Sequence, residues 1–118
     1  MSQFTNAQND LVRKIVAGKC PSSKVPAELH KIEQAFPDES FGLTQPQRKE
    51  KPWDMSYLKE LEQLFYYGAD SKEFIEYMAE VSDEVYRAKR LRKYLLCALL
   101  VLAGIAVIVT LVKALLGD

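Results

Sequence analysis

Histidine is almost missing from this chain; His30 is the only one. Cysteine is scarce too, with Cys20 and Cys97 far apart. A metal or redox centre needs several such ligands at short spacings, so no metal site and no disulfide framework is expected. His30, with Glu28, Lys31 and Glu33 nearby, reads as a surface histidine. The five glycines (Gly18, Gly42, Gly68, Gly104, Gly117) stand alone, which excludes a glycine-rich loop around a phosphate. Ser22 and Ser23 have a neighbouring lysine but no nucleophile elbow or triad context. The carboxylate pairs Asp38–Glu39 and Asp83–Glu84 are sequence neighbours, whose side chains diverge instead of facing one substrate. Neither an enzyme, a cofactor nor a small-molecule substrate is expected.

Charge is missing from one long stretch. From Tyr94 to Val112 nineteen residues carry none, and twelve of them are Leu, Ile or Val. At 1.5 Å per residue such a helix spans roughly 28 Å, close to the hydrocarbon thickness of a bilayer. Its aliphatic residues favour insertion by roughly 4–7 kcal/mol. Lys113 stands at the far end, where its ammonium reaches the headgroups, so the anchor is taken as residues 94–116. A chain this small has no core that could wrap such a helix on every side.

The formal net charge is zero, but its distribution is uneven. Arg87, Lys89, Arg90, Arg92 and Lys93 stand directly before the apolar run. By the positive-inside rule residues 1–93 are expected in the cytosol, with the C-terminus translocated. LVRKIVAG (11–18) is too short and too charged for a signal peptide, so the expected topology is tail-anchored and single-pass. The bases form a membrane-surface foot on anionic lipid. Ahead of them, Asp70, Glu73, Glu76, Glu80, Asp83 and Glu84 make an acidic block, read as a solvated face or a spacer. Nucleic acid is not expected, because lipid phosphates are nearer to the bases and no other basic face exists. Tyr86 and Tyr94 read as interface anchors. Cys97 lies one turn inside the boundary, where either lipidation or simple apolar packing fits.

Periodicity places four helices and no strands, an all-α fold. Three short helices precede a long fourth one that continues into the C-terminal span. The first runs from about Asn6 to Ala17, with Leu11, Val12, Ile15 and Val16 in a stripe and Gly18 as its stop. The second starts with Pro26 in its first turn and stops at Pro37, with Leu29, Ile32 and Phe36 in line. Residues 37–52 contain three prolines and read as a long loop, either mobile or functional. The third helix runs from Asp54 to Tyr67, with Leu58, Leu61, Leu64 and Phe65 on its apolar face and Gly68 as its stop. The fourth begins at Asp70, where Asp70 and Glu73 have capping-box-like spacing, and runs unbroken to Leu116, roughly 70 Å. Residues 70–93 are its juxtamembrane part. Phe74, Met78, Val81, Val85 and Ala88 repeat at 4-3-4-3 spacing. That seam either packs on the first three helices or docks a second helix. Ala103, Ala106, Thr110 and Ala114 form a small-residue face in the span, which leaves a homo-oligomer open.

Aromatic residues are concentrated between Trp53 and Tyr77, with seven rings in 25 residues. Seven are many for so small a core, so Trp53, Tyr57, Tyr66, Tyr67 and Tyr77 are expected to include a docking surface for a protein partner. The last thirty residues resemble the general plan of SNARE proteins, but the heptad run is too short and lacks a central polar layer. The expected role is a tether, adaptor or accessory subunit on a lipid bilayer. The alternatives are a regulator that sequesters a soluble factor, by analogy with membrane-tethered anti-sigma factors, and a holin-like pore-forming protein.

Overall fold

Ser2 starts the first helix by capping it. In the computed structural model, which describes residues 2–50 and 53–117, the Ser2 hydroxyl accepts from the Thr5 N–H at 3.1 Å. Helix α1 therefore spans Gln3–Val16 and begins a turn before the sequence reading placed it. The early turn brings Phe4 and Gln8 into the buried stripe with Leu11, Val12 and Ile15. Gly18 ends the helix at φ +75°, and the Lys19 N–H closes back on the Lys14 carbonyl at 2.8 Å.

A 3-10 turn, Ser22–Lys24, leads into α2, Val25–Ala35, with Pro26 in its first turn. The Asp83 carboxylate accepts from the Ser22 N–H at 3.2 Å and from its hydroxyl at 2.5 Å, which ties this turn to a helix 61 residues away. Helix α3, Met55–Tyr66, is capped by Asp54, whose carboxylate accepts from the Tyr57 N–H at 2.9 Å. It stops at Gly68, φ +120°. Leu58, Leu61 and Phe65 are buried, but Leu64 is 47% exposed, contrary to its expected place on the apolar face.

Helix α4 spans Lys72–Leu115. Its cap is Ser71, not Asp70. The Ser71 hydroxyl accepts from the Phe74 N–H at 3.1 Å and itself donates to the Thr44 carbonyl. The same Ser71 makes an isolated parallel bridge with Gly42, so the proline-containing loop returns to the start of α4. The Asp70 carboxylate fills the space where a side chain at Gly42 would sit.

The protein divides into two compact units, Met1–Tyr86 and Arg87–Asp118. In the first, Phe74, Ile75, Tyr77, Met78, Ala79, Val81, Ser82 and Val85 of α4 are buried, an arc of about 200° around the helix. They join Leu11, Val12 and Ile15 of α1, Val25 and Leu29 of α2, and Leu58, Leu61 and Phe65 of α3 in one cluster. The heptad seam Phe74, Met78, Val81 and Val85 is therefore core. Ser82 donates to the Ile15 carbonyl at 2.5 Å and Tyr86 to the Val16 carbonyl at 2.7 Å, satisfying the end of α1. The second unit holds the rest of α4. Every residue from Tyr94 to Leu116 is exposed.

Candidate functional site

An exposed apolar helix is the least ordinary feature of this chain. Among the described residues one helix is long and apolar enough to cross a membrane, and none of that stretch is buried inside the protein. A core helix of a soluble protein would be covered. Leu95, Leu96, Leu99, Leu100, Ile105 and Ile108 are each more than half exposed. The Thr110 hydroxyl is satisfied internally, donating to the Ala106 carbonyl at 2.9 Å. That back-bond suits a surrounding without water. Ala103, Ala106, Thr110 and Ala114 are exposed along the helix, as is Cys97. Arg87, Lys89, Arg90, Arg92 and Lys93 are all exposed, and Arg87 and Lys89 also interact within the chain.

The aromatic set separates into two groups. Tyr77 is 1% exposed and offers nothing to a partner. Its hydroxyl lies 2.6 Å from that of Tyr57 and accepts from the Lys49 N–H at 3.2 Å. Tyr57 reaches the Gln47 carbonyl at 3.5 Å, and the Trp53 indole N–H donates to the Lys49 carbonyl at 3.2 Å. The rings of Trp53 and Tyr57 stand edge-on to Tyr77, at 6.3 and 6.4 Å. Arg48 lies 5.0 Å over the Tyr77 ring and pairs with Glu80 at 3.2 Å. Lys49 lies 5.3 Å over Tyr57 and pairs with Glu60 at 3.7 Å. Trp53, Tyr57 and Tyr77 thus hold residues 47–50 against α3 and α4. Burial, then the bond to Tyr77, pushes the Tyr57 hydroxyl well above the usual tyrosine range.

Tyr66 and Tyr67 make the second group, 44% and 86% exposed; Leu64, half-exposed, is three residues before Tyr67 on the same side of the helix end. Partial burial and the Glu62 carboxylate raise the Tyr66 hydroxyl pKa.

The fold also builds a groove of about 930 Å³ that sequence reasoning missed, lined by residues including His30, Glu33, Phe41, Leu43, Thr44 and Lys72. Lys72 pairs with Glu33 across it and lies 5.6 Å over the Phe41 ring. Nothing local in the sequence joins residues 30–45 to residue 72; the join is the Gly42–Ser71 bridge. The acidic block is put to use inside the fold, with Glu80 on Arg48 and Asp83 on Ser22. Cys20 is buried, and that burial raises its thiol pKa, which disfavours the reactive thiolate. Among the described residues no three His, Cys, Asp or Glu side chains are placed to share a metal ion. Comparison with protein-family models, curated proteins and solved structures gave no match.

Proposed function

We propose that this chain is a non-catalytic, single-pass membrane protein whose helical domain lies on the cytosolic side and docks a protein partner. The observation that carries the reading is helix α4 itself. One helix supplies both the core of the folded unit and an exposed, uncharged apolar segment. Water would penalise that segment, and a bilayer would cover it on every face. The five bases ahead of it support the cytosolic placement of the domain.

For docking, Leu64, Tyr66 and Tyr67 are the best supported residues. They are exposed and not spent on the loop as Trp53, Tyr57 and Tyr77 are, and Leu64 and Tyr67, three residues apart, fall on one side of the helix end. Tyr is over-represented at binding hot spots because it brings apolar area and a polar tip together.

The test has two arms, both on the full chain in native membranes. A cysteine placed at Ser40 should react with a membrane-impermeant thiol reagent only from the cytosolic side. A photo-crosslinker at Tyr67 should trap a defined partner, and Tyr66→Ala with Leu64→Ala should reduce that yield at least tenfold. A partner recovered equally well by those variants would refute the docking surface. Release of the chain by alkaline carbonate would refute the membrane-spanning reading.

A further inference from the structure

Five bases lie within seven residues, all exposed, where the apolar stretch of α4 begins. At 100° per residue, Arg87, Lys89, Arg90, Arg92 and Lys93 fall at about 0°, 200°, 300°, 140° and 240° around the helix. They cover about 220° of its circumference. The gap holds Ala88 and Leu91, the latter 56% exposed. A helix lying flat in the interface keeps its bases on one face and its apolar residues on the other. Here the bases spread widely around the helix, and the next nineteen residues have no charge on any face.

We infer that Arg87–Lys93 is a collar that gathers anionic phospholipid headgroups around α4. This rests on the reading of α4 as membrane-spanning and adds the class of lipid it selects. Three of the five bases are arginine. The planar guanidinium matches two phosphate oxygens at once, so a phosphodiester headgroup fits it better than it fits an ammonium. Arg87 and Lys89 have partners within the chain, so most of the preference falls on Arg90, Arg92 and Lys93. Nucleic acid offers the same phosphates but would leave Leu95, Leu96 and Leu99 in water beside it. Each base near an anionic surface raises partition by at most about fivefold.

The experiment compares spin-labelled phosphatidylglycerol with spin-labelled phosphatidylcholine at the full chain, reconstituted in mixed bilayers at low salt. The immobilised component should favour phosphatidylglycerol severalfold. Replacing all five bases by Gln should bring the ratio to one, and Arg90→Gln with Arg92→Gln should fall between. An equal ratio for the native chain, with immobilised lipid present, overturns the collar and leaves the span intact. No immobilised lipid of either kind overturns both. A native chain that retains a single-stranded oligonucleotide and shows no headgroup preference assigns the segment to nucleic acid instead.

Discussion

The hydroxyls of Tyr57 and Tyr77 lie 2.6 Å apart, and their bond joins α3 to α4 while both tyrosines hold the incoming loop. Tyr77 is buried, so its oxygen depends on protein partners. Removing it leaves the Lys49 N–H and the Tyr57 hydroxyl to find others. Tyr77→Phe is expected to cost about 1–3 kcal/mol, and Tyr57→Phe about 0.5–1.5 kcal/mol. Denaturant unfolding measures both. Amide exchange of residues 47–50 should speed up more in Tyr77→Phe than in the native chain, and an unchanged rate would show that the loop is held by something else.

Alkali should act through the same pair. An unfolded tyrosine loses its proton near pH 10, whereas folded Tyr57 holds it to higher pH. Between those values the folded state binds more protons, so stability falls as pH rises above about 10 and is unaffected below it. In a pH series of unfolding midpoints, Tyr57→Phe should show a shallower alkaline loss than the native chain.

Gly18 combines a left-handed backbone with a crowded site. Its φ is +75°, and an added Cβ would meet the Tyr86 ring at 2.9 Å. Gly18→Ala is expected to destabilise the domain by about 1–3 kcal/mol. Tyr86→Ala removes the crowding but not the strain. In a double-mutant cycle the double variant should therefore cost less than the sum of the two single variants. Strict additivity would assign the whole effect to the backbone.

The start of α4 discriminates between two capping assignments. Ser71 accepts from the Phe74 N–H and donates to Thr44. Ser71→Ala should cost about 0.5–2 kcal/mol, and Asp70→Ala less. Thermal unfolding of the paired variants settles the order, and a larger loss at Asp70 would return the cap to that residue.

Much of the helical framework is legible along the chain because its signals are local. Gly18, Pro37 and Gly68 stand at or just past the ends of three helices, and the aliphatic stripes of α1 and α3 are mostly buried. The errors have physical causes. The apolar stripe placed the start of α1 near Asn6, whereas the Ser2 hydroxyl caps it earlier, which added a turn to α1. Leu64 matched the apolar period of α3 but sits at the edge of its buried arc. Asp70 and Glu73 had capping spacing, while Ser71 had a second partner from across the fold. The loop 37–52 read as either mobile or functional because it is long, polar and proline-rich. Its described part, 37–50, is tied down at Gly42, Thr44 and Lys49, while Lys51 and Pro52 lie outside the described residues.

What the sequence determines alone is what depends on composition and short spacing: an all-α chain, four helices, and an uncharged apolar stretch preceded by five bases. Tertiary structure decided which polar and aromatic side chains face solvent. A tyrosine is equally at home in a core or at a surface, since its ring is apolar and its hydroxyl is polar. Tyr77 is buried because Tyr57 and the Lys49 N–H satisfy its oxygen, from 20 and 28 residues away. Tyr67 is exposed because α3 ends beneath it at Gly68. Periodicity cannot distinguish these two outcomes, because the partners that decide them are brought together only when the chain folds.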